Sequence, residues 1–124
     1  MKLHISNNAR ILDLQKEFNY YFPNLEVEFY TLPTEGLTSN ASRYKLPSNA
    51  SIGYCRDIYR EGELFIHNEE RASELEHELS IRFGLHAQII EIHGERIVKT
   101  KSLAELNKIA HGLIPSLNVN KIVS

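Results

Sequence analysis

Hydrophobic and polar positions alternate over residues 2–6, with Leu3 and Ile5 on one side and Lys2, His4 and Ser6 on the other. A period of two predicts a short, half-buried strand. Ser6, Asn7 and Asn8 are helix-capping residue types, and Ile11, Leu14, Phe18 and Tyr21 then recur at helical spacing. Pro23 and Asn24 stop that helix. Leu25, Val27 and Phe29, alternating with Glu26, Glu28 and Tyr30, predict a second strand. The phrase returns from Glu63, with Leu64 and Ile66 on one side and Glu63, Phe65 and His67 on the other. Ala72, Leu75, Leu79 and Phe83 form a second helical stripe, and Gly84 stands where a left-handed cap is expected. Residues 86–92 read as a strand, Gly94-Glu95 as a hairpin turn and residues 96–100 as a returning strand. Ser102 and Glu105 make a capping-box pair for a last helix. Its stripe is Leu103, Leu106, Ala110 and Leu113, and Gly112 and Pro115 close it.

The recurrence extends to residue identity. Shifted by 61 positions, Leu3, Ile5, Asn7, Arg10, Leu14, Glu17 and Phe22 meet Leu64, Ile66, Asn68, Arg71, Leu75, Glu78 and Phe83. Seven identities in twenty positions exceed the one or two that average composition would give. Two tandem βαβ units predict an α+β, ferredoxin-like plait: a four-stranded antiparallel sheet with both helices on one face. A C-terminal strand and helix are appended to it. Residues 1–115 make a single domain, with 116–124 a frayed tail. Residues 31–62 are a long irregular connection, rich in Gly, Pro, Ser and Asn. Within it, residues 34–48 read as a mobile loop. A short helix is expected near 49–59, where Ile52, Cys55 and Tyr59 share a face.

Two stretches carry a family resemblance. The first is Ile11-x-x-Leu14-Gln15-x-Glu17-Phe18-Asn19-x-x-Phe22-Pro23-x-Leu25-x-Val27-Glu28-Phe29. The second is Glu61-Gly62-x-Leu64-x-Ile66 with Glu74-Leu75-Glu76 and Phe83-Gly84-Leu85-x-x-Gln88. Over residues 2–30 and 60–94 the chain resembles a small, uncharacterised protein family of Bacteroidota. The resemblance implies a cytoplasmic bacterial α/β protein and no particular activity. The family follows the Gln88-like position with a basic Arg-Lys-Ser-Gly turn and a Trp-containing strand. This chain has Glu91-Ile92-His93-Gly94 there and no tryptophan.

Composition narrows the function classes. Fourteen basic residues against sixteen acidic ones leave a net charge of −2, which gives no global attraction to nucleic acid or anionic membrane. A single cysteine, Cys55, rules out an internal disulfide and fits a reducing, cytoplasmic setting. No apolar run is long enough to span a bilayer or to open a signal peptide.

In a plait, the face away from the helices would show His4 and Phe65 on the central strands. Tyr30, Ile90 and Ile92 would lie on the flanking strands. An apolar patch with polar edges describes a protein-interaction surface, and a homodimer through the sheets would bury it. The competing arrangement folds residues 96–113 over part of this face. Single-stranded RNA binding of the RNA-recognition type would use Phe65 and His4 for stacking. Glu26 and Glu28 oppose it, standing where phosphate would lie. A small enzyme using Cys55, activated by Arg56, is a third reading, but no base or orienting partner accompanies the thiol. His67, His77, His86, His93 and His111 match no metal-ligand spacing. The expectation is therefore a non-enzymatic, self-associating interaction module with protein as partner and no cofactor or metal.

Overall fold

The computed structural model describes residues 1–31, 44–56, 58–92 and 99–112. In chain order the elements are strand β1 (Lys2–Ile5), helix α1 (Ile11–Tyr21), strand β2 (Leu25–Tyr30) and a single 3₁₀ turn (Gly53–Cys55). Strand β3 (Gly62–Phe65), helix α2 (Ala72–Phe83), strand β4 (His86–Glu91) and helix α3 (Leu103–Gly112) follow. The class is α+β, with helix and strand positions close to those the hydrophobic pattern predicts. The helix expected over 49–59 is confined to the 3₁₀ turn. The hairpin at Gly94-Glu95, the tail 116–124 and most of the loop over 34–48 lie outside the described residues.

The strands form two two-stranded antiparallel ladders, β1 with β3 and β2 with β4. A plait shares the central pair β1–β3 but would set β2 beside β3 and β4 beside β1 in one sheet. The reason for the difference lies at the strand edges, where helix side chains occupy the backbone groups that a further strand would need. On β2, Asn19 donates to the Leu25 carbonyl at 3.0 Å and Gln15 to that of Val27 at 2.9 Å, both reaching from α1. The Leu46 N–H takes the Phe29 carbonyl at 2.7 Å. On β4, the Glu76 carboxylate accepts the Ile89 N–H at 2.7 Å, and Lys99 donates to the Ile89 carbonyl. On β1, Glu17 accepts the His4 N–H at 2.7 Å. Covering edges in this way blocks further strand pairing.

Positions 61 apart occupy like places. Leu3 pairs directly with Leu64 in the first ladder. Arg10 and Arg71 precede the two long helices in extended conformation, and each forms an antiparallel bridge to a serine, Ser51 or Ser102. Asp13 accepts the Arg10 N–H and Glu74 the Arg71 N–H, each at 2.8 Å. These acidic residues close the helix starts, a role that Ser6, Asn7 and Asn8 were expected to fill. The hydrogen bonds around each start also match. Ile11 N–H to Ala50 O and Ile52 N–H to Ala9 O on one side correspond to Ala72 N–H to Lys101 O and Leu103 N–H to Glu70 O on the other.

One core unites the elements. Leu3, Ile5, Leu64 and Ile66 of the first ladder join Leu25, Val27, Phe29, Ala87 and Ile89 of the second. Ile11, Leu14 and Phe18 of α1 and Leu75, Leu79 and Phe83 of α2 fill the space between them. Burial of a large apolar side chain stabilises by about 1.5–3 kcal/mol, so this cluster is the main source of stability. Helix α2 ends at Gly84, whose φ of +66° is the left-handed conformation expected there. A Cβ at this glycine would also stand 3.1 Å from the Ile58 side chain.

Candidate interaction face and the Arg56 cleft

The five residues expected to form one patch are divided between the two ladders. His4 and Phe65 lie on the outer face of β1 and β3, with Lys2 opposite Phe65 and Glu63 opposite His4. The Phe65 ring is 59% exposed. Lys2 stands over it at 5.8 Å from the ring centre and also pairs with Glu63 at 3.3 Å. His4 bridges Glu17 and Glu63 through its two ring nitrogens. Tyr30 and Ile92 belong with the other ladder. Tyr30 donates its hydroxyl to Glu28 at 2.7 Å. Ile92, just past β4, lines a cleft of about 470 Å³ with Leu12, Lys16, Glu28 and Lys45.

Ile90 is a correction: it is only 8% exposed and lies inside rather than on a face. The end of β4 is buried on both sides, Ile90 and Glu91 included. Helix α3 packs against β2 and β4 and supplies the buried Leu103 and Leu106. Glu70, just before helix α2, is also buried.

The β3 edge was not singled out by the sequence reading. In the β1–β3 ladder Ile66 bonds to Met1 at 2.7 Å. This register turns the backbone groups of Glu63 and Phe65 away from β1. Among the described residues, none of these outward groups has a hydrogen-bond partner. The residue equivalent to Glu17 is Glu78, but Glu78 binds Arg82 at 3.2 Å one turn along α2 instead of reaching the strand. On α1 the position of Arg82 is held by Tyr21, so Glu17 has no such competitor. Two differences between the halves, Tyr21 against Arg82 and His4 against Phe65, accompany a closed edge on β1 and an open one on β3.

A second concavity, of about 380 Å³, includes Cys55, Arg56, Tyr54, His86, Leu46 and Pro47 in its lining. Arg56 is 5% exposed. It donates to the Phe83 carbonyl at 2.9 Å and to the Asn7 side-chain oxygen at 2.6 Å. It thereby ties the end of α2 to the turn after β1. Burial lowers the pKa of Arg56, and Glu61 opposes the shift. Cys55 is half-buried against the core, and burial pushes its thiol up. That shift works against the thiolate that a nucleophilic role requires. Among the described residues, no group of three or more His, Cys, Asp or Glu side chains is placed to hold a metal ion. No described helix is long and apolar enough to cross a membrane.

No family model matches the chain, and no curated protein or solved structure matches it.

Proposed function

We propose that this protein is a small, non-enzymatic interaction module of the cytoplasm that associates with a second copy of itself through β3. The observation that carries the reading is the open edge: outward-facing backbone groups of Glu63 and Phe65 beside an exposed aromatic ring. Two β3 strands related by a two-fold axis at Leu64 would set Glu63 of each copy opposite Phe65 of the other. That register makes about four backbone hydrogen bonds, avoids facing glutamates and joins the two β1–β3 ladders into one sheet. Phe65 would then cover the aliphatic part of the partner's strand. An RNA-stacking role for Phe65 and His4 is disfavoured by Glu17 and Glu63, which contact His4 directly.

We infer also that the chain is a duplicated unit of strand, helix, strand and returning segment, whose two copies pair strand to strand. Identical backbone bonds at equivalent helix starts support this.

Light scattering across a concentration series tests the self-association, and a dimer is expected. Phe65→Glu and Glu63→Pro should each give a monomer with an unchanged circular dichroism spectrum. The Glu63 N–H points away from β1, so proline there removes no bond of the existing ladder. A wild-type chain that stays monomeric at high concentration overturns the proposal.

A further inference from the structure

We propose that the cleft beside Arg56 binds a small organic oxyanion, a carboxylate or phosphate carried on a compact apolar body. Arg56 is almost wholly buried, yet the two acceptors it bonds among the described residues, the Phe83 carbonyl and the Asn7 amide oxygen, are neutral. Its Nε–H is buried with no acceptor among the described residues. Buried charges in proteins are paired, and a buried donor without an acceptor is costly. Glu61 acts on Arg56 through its charge without forming an ion pair with it, and its carboxylate accepts the Asn7 N–H at 2.8 Å. Among the described residues, the cleft lining contains no carboxylate. Its wall instead combines the arginine and His86 with the apolar surfaces of Leu46 and Pro47, and Tyr54 stands at 90% exposure on the rim. A volume of about 380 Å³ falls in the range of small-molecule sites. A guanidinium held rigidly by two bonds, with a third donor left over, is suited to an oxyanion.

The site contains its own reporter. Cys55 lines the same cleft and is the single cysteine of the chain. Alkylation by neutral N-ethylmaleimide therefore reads occupancy at one position. The rate is measured with benzoate, with inorganic phosphate and with potassium chloride at matched ionic strength. Occupancy should slow labelling about tenfold at an anion concentration roughly ten times its Kd. The Arg56 Nε–H resonance, followed by ¹⁵N NMR in the wild-type protein, should shift along the same saturation curve. Arg56→Lys keeps the charge but lacks the Nε–H and the planar fork of the guanidinium, and should lose most of the protection. The NMR titration keeps the test decisive if that variant folds poorly. Protection by benzoate alone assigns a carboxylate on an apolar body, and protection by phosphate as well assigns a general oxyanion site. Labelling and resonance that respond to neither anion, or equally to chloride, overturn the proposal. Since β3 takes no part in the readout, this result is separable from the oligomeric state.

Discussion

Arg56 and Glu70 show what a single buried charge does in this fold. Arg56 joins the last turn of α2 to Asn7, so replacing it leaves two acceptors without their donor. Arg56→Met should lower stability by about 2–4 kcal/mol in urea unfolding, since bonds to charged groups contribute roughly 1.5–3 kcal/mol each and are not fully additive. Glu70 behaves in the opposite sense. Burial raises its pKa first, the His67 N–H lowers it, and nearby Glu78 and Glu74 raise it further. The folded state therefore keeps a proton that the unfolded chain has already lost. Stability should fall as pH rises from the ordinary carboxylate range through the raised value, and the penalty stays constant above that. Glu70→Gln, which can still accept the His67 N–H, should stabilise at neutral pH by about 0.5–1 kcal/mol. The gain should disappear below about pH 4, where both states of the wild type are protonated. Paired urea titrations at the two pH values measure it, and an equal gain at both would rule out the carboxylate as the cause.

At the scale of elements, the helix starts are the clearest case of one device used twice. Asp13→Ala and Glu74→Ala each remove the acceptor of an N-cap N–H and should each cost about 1 kcal/mol. The double variant should show their sum, because independent sites add. Strong non-additivity in urea unfolding would mean that the two starts are coupled. The sequence revealed the elements themselves because period two and period 3.6 are properties of adjacent residues: Leu3 with Ile5, Leu14 with Phe18, Leu75 with Leu79. It did not reveal the caps, since arginine is a poor capping residue and here works through its backbone. It implied the pairing of β1 with β3 but not that of β2 with β4. Gln15, Asn19 and Glu76 read as polar positions of two amphipathic helices. Only in three dimensions do they occupy strand edges and exclude neighbours. Ile90 was misplaced for a similar reason: alternation assigns a face but cannot say whether that face stays open. Arg56 lies in an irregular segment with no periodicity to mark it.

For the whole molecule, the pairing of β1 with β3 and β2 with β4 means that each half supplies one strand to each ladder. Neither half can satisfy its own strands. Residues 1–60 hold β1, α1, β2 and the returning segment that meets Arg10, while residues 61–124 hold their counterparts. Each would expose half of a shared core, and a chain of that length is marginal even with an intact one. The connection between them mainly raises the effective concentration of one half for the other, to the millimolar range for a short flexible linker. Expressed separately, residues 1–60 and 61–124 should therefore be unfolded by circular dichroism. Mixing them should restore helical signal with one-to-one stoichiometry and a concentration-dependent midpoint of unfolding. The Asp13→Ala fragment should still bind its complement with modestly reduced affinity, because the ladders and core remain. A fragment that folds alone as a monomer would show that its strands have found partners within the half, and the reading of the chain as two interlocked copies would fall with it.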